Sequence, residues 1–164
     1  MKMAVMMLVV LAVHAKADQL NRHKIDSLHA VLKTTIPDSV QADTYYNLAR
    51  EYWDFPQDSA RMRTTREYAD RCFSISKGCG YKTGMGDACF VIAIVYSYKD
   101  QNFEAIEWFK KALNYRLEGG DDKKITKTLY NLGYFCELIG DKEQSIKYYL
   151  NCLTIAERCR DSVQ

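Results

Sequence analysis

Six cysteines, three histidines and a short glycine pair are the residues of this chain whose types could carry chemistry. A cysteine could ligate a metal, pair as a disulfide or act as a nucleophile, with a nearby histidine as its base. Their spacing argues against each role. No two cysteines form a Cys-x-x-Cys pair, and beyond the apolar N-terminus only His23 and His29 remain, six residues apart, so no metal site is expected. The same two histidines are the only conventional general bases, and neither a recognisable carboxylate pair nor a glycine-rich phosphate loop joins them. Gly84-x-Gly86 is too short a motif to bind a dinucleotide. We therefore expect no catalytic residue, no cofactor and no enzyme. Cys72 and Cys79 lie seven residues and about 10.5 Å apart along one helix, as do Cys152 and Cys159, which is too far to bridge. Most of the cysteines read as core thiols.

Charge narrows the choice of partner. Lys and Arg total 23 against 21 Asp and Glu, but Lys2 and Lys16 lie in the stretch 1–17, which holds no acid, so 23 − 2 = 21 bases face 21 acids in the remainder. A neutral surface has no long-range attraction for phosphate backbones, and nucleic acid is not expected as a partner. Residues 1–17 read as a signal peptide: Lys2 supplies the positive start, Ala4 to Val13 the apolar run, and Ala15-Lys16-Ala17 the small residues of a cleavage site. Ten apolar residues make only about 15 Å of helix, half the hydrocarbon core of a bilayer, so a spanning anchor is the weaker reading. The expected location is exported, periplasmic or otherwise extracytoplasmic.

The elements that would position any binding side chain emerge from an internal repeat whose period carries Ala93 onto Gly133 (133 − 93 = 40). At that offset small residues coincide, Ala93 with Gly133, Ala105 with Ser145 and Ala112 with Cys152, as do large ones, Ile92 with Leu132 and Phe109 with Tyr149. Two antiparallel helices need small side chains where their backbones approach and bulky ones where gaps remain, so the spacing encodes helical hairpins. Thr65, Ala69, Cys72 and Ile75 repeat the pattern one period earlier, and Tyr45, Leu48, Ala49 and Tyr52 supply a helix before them. Glycines at 78, 80, 119, 120 and 140 punctuate the periodic stretches, and Asp141 with Gln144 resembles a capping box. Leu20, Ile25, Leu28 and Leu32 mark one further helix ending near Pro37. The fold class is all-α: a capping helix in 18–37, then a solenoid of about three hairpins over 38–164, divided 38–80, 81–120 and 121–160. HEAT or armadillo repeats share this length.

Tyr130-Asn131-Leu132-Gly133, Gly140-Asp141 and Ser145 to Tyr149, like Glu104 to Glu107 through Ala112-Leu113, resemble the tetratricopeptide repeat in a long-helix form. The resemblance implies a non-enzymatic scaffold that binds a protein or peptide in a concave groove lined by the first helix of each hairpin. Its positions map onto Tyr46, Asn47, Arg50 and Trp53; Phe90, Ile94, Ser97 and Tyr98; and Lys127, Tyr130, Asn131, Tyr134 and Glu137. Six of these thirteen are aromatic, which suits a partner site. The family's clamp for chaperone tails is not carried over, since only Lys127 matches, with Tyr46, Arg50, Val91 and Asn131 at its other positions. The layout also resembles the exported sensory region of bacterial signalling proteins that continue into a histidine kinase or a DNA-binding regulator. Asp161 falls one period after Asp121, so the array is expected to end openly, as a piece of a longer protein would. An open end invites a homodimer through Ile146, Tyr149, Leu150 and Leu153.

Overall fold

A computed structural model describes residues 21–53 and 58–161, with side-chain surroundings as far as Arg158; the expected signal peptide lies outside these residues. Helix is the only regular element among them. The chain divides into two compact units, Met1–Ile36 and Pro37–Gln164. In the first, α1 spans residues 21–31, where the Ser27 hydroxyl donates to the His23 carbonyl at 2.8 Å.

Among its described residues the second unit holds six helices: α2 (Asp38–Trp53), α3 (Ser59–Gly78), α4 (Lys82–Ser97), α5 (Asn102–Gly119), α6 (Asp122–Leu138) and α7 (Lys142–Asp161). Each packs on the next, and α2 also meets α4 directly, which is the connectivity of a solenoid of hairpins. Short polar side chains start the helices. Asp58 accepts from the amides of Ala60 and Arg61, Asp121 from that of Lys124 and Asp141 from that of Gln144, each at 2.9 to 3.1 Å. Left-handed residues end them: Gly80, Gly120 and Gly140 have φ of 71°, 73° and 83°. Asp100, one period before Gly140, takes φ 56°, a conformation that aspartate tolerates better than most residues. The repeat thus preserves backbone shape even where the residue changes.

The alternation of small and large residues packs as expected. Ala93, Ala105 and Ala112 are fully buried, Ser145 nearly so and Gly133 buried, while Ile92, Phe109 and Leu132 fill the spaces beside them. A central stack of rings joins the last two hairpins: Phe109 meets Phe90 edge-on at 5.2 Å and lies over Phe135 at 5.4 Å. Each such ring, fully buried, contributes about 1.5–3 kcal/mol. Smaller clusters join the first hairpin to α4, one of Ala49, Ala69, Val91 and Ile92, the other of Ala42, Cys72 and Ala88. Cys72, Cys89 and Cys136 are buried free thiols, and burial pushes the first two up to about 12. Gly84 and Gly86 are packing residues in the first turns of α4. A Cβ at Gly86 would come within 2.9 Å of Arg116 Cγ, and one at Gly84 would collide with Ser76 Oγ.

Candidate partner-binding groove

The first helices of the hairpins, α2, α4 and α6, carry the residues expected to line the groove, and burial divides them into those that would be its floor and those that would be its rim. Phe90 is floor: it is 1% exposed, 6.3 Å from the Trp53 ring and 5.2 Å from Phe109. It packs between hairpins, so a partner would not reach it. Trp53 and Ile94 are half-buried against the same core, and Tyr46 and Asn47 are half-buried on α2. Ser97 and Asn131 satisfy themselves on their own helices, donating to the carbonyls of Ile94 and Lys127 at 2.8 Å.

The rim is formed by Arg50, Tyr98, Lys127, Tyr130, Tyr134 and Glu137, all exposed. Tyr130 and Tyr134 are 58% and 45% exposed, though their equivalents on α4, Phe90 and Ile94, are buried or half-buried. The cause is position. Helix α4 has a first helix on each side, whereas α6 is the last of the three. Tyr130 leans on Tyr149 at 5.8 Å, Tyr134 on Phe135 at 5.1 Å, and the Tyr149 hydroxyl donates to Glu137 at 3.4 Å, so the rings are oriented while remaining open.

Two cations at groove positions have no counterion. Arg50 lies over the Tyr46 ring at 5.8 Å, and Lys127 stands 5.1 Å from Phe90 and 5.6 Å from Trp53. Neither makes a salt bridge among the described residues. Desolvation by its surroundings lowers the Lys127 pKa from the ordinary lysine value, and the nearby charges of Arg50 and Arg116 push it the same way. An anion arriving here would relieve that repulsion.

Beneath the groove lies a charge cluster that sequence reasoning missed. Asp87, 1% exposed on α4, accepts from Arg116 Nη2 at 2.8 Å and Lys124 Nζ at 2.5 Å. Arg116, 2% exposed at the end of α5, also donates from Nη1 to Thr128 Oγ1 at 2.6 Å and to the Lys124 carbonyl at 3.0 Å, with its guanidinium 4.4 Å from the Phe90 ring. Three helices are tied together at this point. Lys124 extends the tie to α2, lying 5.7 Å from the Tyr46 ring. Asp43, which accepts from Tyr81 Oη at 3.3 Å, has its carboxyl raised by burial despite the pull of Lys124, and Tyr81 is driven up to about 12 by burial and by Asp43. A signal for Arg116 was present in the repeat: the residues one period before and after it are Ser76 and Ala156, so a long cation stands where the pattern places something small, and Gly86 makes its room.

The described residues include no group of three or more His, Cys, Asp or Glu side chains able to hold a metal, and no helix among them is long and apolar enough to cross a membrane. At the cluster around Asp87 both carboxylate oxygens are met by cations, which suits a structural tie, although Arg116 Nε is buried without a partner.

Comparison with known proteins agrees with the hairpin reading. Residues 86–118 and 126–159 each match the tetratricopeptide repeat, covering the hairpins α4 with α5 and α6 with α7. No curated protein sequence matches the chain. Among solved structures it is similar to aspartyl phosphate phosphatase F from Bacillus subtilis, with TM-score 0.70 and 17% identity over 85% of this chain and 39% of that one. It is also similar to the tetratricopeptide-repeat domain of Arabidopsis FLU, with TM-score 0.64 and 13% identity over 74% of this chain and 99% of that one. A third likeness is to a signal transduction ATPase with numerous domains, carrying a tetratricopeptide repeat sensor, from Pyrococcus horikoshii, with TM-score 0.73 and 19% identity over 90% and 22% of the two chains. The chain spans well under half the length of the first and third. At these identities the likeness is one of fold. With its hairpins, its recurring pattern of small and large residues and two direct repeat matches, the chain carries two tetratricopeptide repeats, α4 with α5 and α6 with α7, within an all-helical solenoid.

Proposed function

We propose that the chain is a non-enzymatic scaffold that holds a segment of another protein along the rim of its concave face. Repeats of this kind suggest protein interaction in general; the observation that carries the specific reading is that the exposed groove positions include the open pair Tyr130 and Tyr134 and two cations, Arg50 and Lys127, that lack counterions. Oriented tyrosines bury much area at small entropy cost, and unpaired cations favour a segment with a carboxylate beside its apolar residues. Peptides selected from a random display library against the wild-type chain should lose at least tenfold in affinity when Tyr130→Ala is combined with Tyr134→Ala. Selected peptides that bind the double variant equally well would remove the groove from consideration.

A second reading makes this region the input part of a larger signalling protein, alongside the export expected from residues 1–17. Its support is the likeness to a protein described as carrying a tetratricopeptide repeat sensor. N-terminal sequencing of the protein from its native host tests the export half: a chain beginning at Asp18 supports it, and one retaining Lys2 in the cytosol refutes it.

A further inference from the structure

Away from the charge cluster, a second concavity opens between the start of α3 and the end of α4. Met62 and Val95 form its floor, Tyr98 one wall, and Arg63, Arg66 and Lys99 converge on it; the cavity measures about 430 Å³. Arg66 is held in place, its Nε bidentate to Asp70 at 2.9 and 3.0 Å and its guanidinium over the rings of Tyr96 and Trp108 at 5.6 and 5.8 Å. Arg63 and Lys99 make no ion pair among the described residues. The acid nearest the start of α3, Asp58, is already occupied: it caps that helix and pairs with Arg61 at 3.6 Å.

The repeat supplies the comparison that gives these cations meaning. One hairpin later the equivalent junction forms a cavity of about 420 Å³, so the notch itself is a product of the architecture. The residues one period after Arg63, Arg66 and Lys99 are Phe103, Ile106 and Ile139, and all three line that second cavity. Its cation, Lys110, is neutralised by Glu107 at 2.9 Å, and Asp141 stands beside them. Packing at this junction is therefore met by apolar residues. The first junction replaces all three with cations and leaves two of them unpaired, which packing does not require and which costs some self-repulsion.

We propose that the notch between α3 and α4 is a binding site for a small organic oxyanion, a phosphate or carboxylate carried on an apolar group. The oxyanion would be held by Arg63 and Lys99 with Arg66 behind them, since guanidinium groups match the geometry of both anions. The apolar part would lie on Met62, Val95 and the Tyr98 ring, and the volume is in the range of small-molecule pockets. This site shares Tyr98 with the rim but neither Tyr130 nor Tyr134, and it does not depend on that reading.

Calorimetric titration of the full chain at low salt with phenyl phosphate, benzoate and neutral benzyl alcohol tests it. At least one of the two anions should bind saturably with one-to-one stoichiometry, at least tenfold tighter than benzyl alcohol, and the tighter anion assigns the head group. Transplanting the second junction's residues as R63F, R66I and K99I should abolish that preference. The milder pair R63Q with K99Q, which keeps the Arg66 pairing and adds no apolar surface, should weaken the anion at least tenfold while melting as the wild type does. Tyr130→Ala with Tyr134→Ala should leave it unchanged. Failure of both anions to bind the wild type, or equal binding by the R63Q and K99Q variant, would overturn the proposal.

Discussion

At Asp87 a carboxylate is held almost wholly out of solvent by two cations that come from different helices. Such a group is stable only while its partners remain, because water cannot replace them. Asp87→Asn keeps the shape but leaves Arg116 buried beside Lys124 with no counterion, and should cost about 3–5 kcal/mol in urea unfolding. A cost below about 1 kcal/mol would show that the cluster is not the tie between α4, α5 and α6 that its geometry describes. Asp43 works in the opposite sense. Burial raises its pKa above the ordinary 3.8, so the folded state holds the proton more tightly than the unfolded chain. Its stabilising contribution is full below the unfolded value and is lost as pH rises through the folded one. Asp43→Asn, which can still accept from Tyr81, should therefore melt higher than the wild type at pH 7, with the difference shrinking to nothing near pH 3. A variant that melts lower at pH 7 would mean that the attraction of Lys124 outweighs desolvation.

Among the elements, the hairpin depends on where small residues allow two helices to approach. Gly133 is the sharpest case: a Cβ there would fall 2.6 Å from Tyr149 Cε1, and Tyr149 is itself braced by Tyr130 and Glu137. In an exposed helix Gly→Ala would gain up to about 1 kcal/mol. Here Gly133→Ala should instead destabilise by about 1–3 kcal/mol, read as a fall in urea midpoint, because α7 must move off α6. A rise in midpoint would show that the ring swings aside freely. The same small positions made the fold legible in sequence, since a packing constraint repeats wherever the architecture does. The cap at Asp141 was readable for a similar reason, as local hydrogen bonding needs only neighbours in the chain. The site was less legible. Phe90 occupies a groove position by alignment yet is buried, because Trp53 of α2, Phe109 and Arg116 of α5 and Lys127 of α6 close around it, a fact of tertiary order that no single repeat contains. The burial of Asp87 and Arg116 follows from a pairing between positions far apart in the chain, for which the repeat marks only the Arg116 end.

At the scale of the whole molecule, α7 carries an apolar face that no described element covers. Ile146, Leu150 and Leu153 are 59%, 58% and 55% exposed, whereas Ile106, one repeat earlier than Ile146, is 5% exposed beneath α6. Exposed apolar surface at an interior-type position tends to find a cover. A second copy is the cover we propose, and sedimentation equilibrium should show a dimer that Ile146→Glu with Leu153→Glu converts to monomer. A wild-type chain that stays monomeric up to about 100 µM, where even a weak homodimer of micromolar Kd would form, would remove that proposal.

Whether the concave rim grips a partner segment can be examined amide by amide, through chemical-shift mapping of the wild-type chain with a selected peptide. If the rim is the grip, the perturbed amides gather on α6 between Lys127 and Glu137 and around Arg50 on α2, with an intermolecular contact from the peptide to the Tyr130 or Tyr134 ring. Perturbations confined to the outer helices α3 and α5, with α6 unmoved, would contradict it.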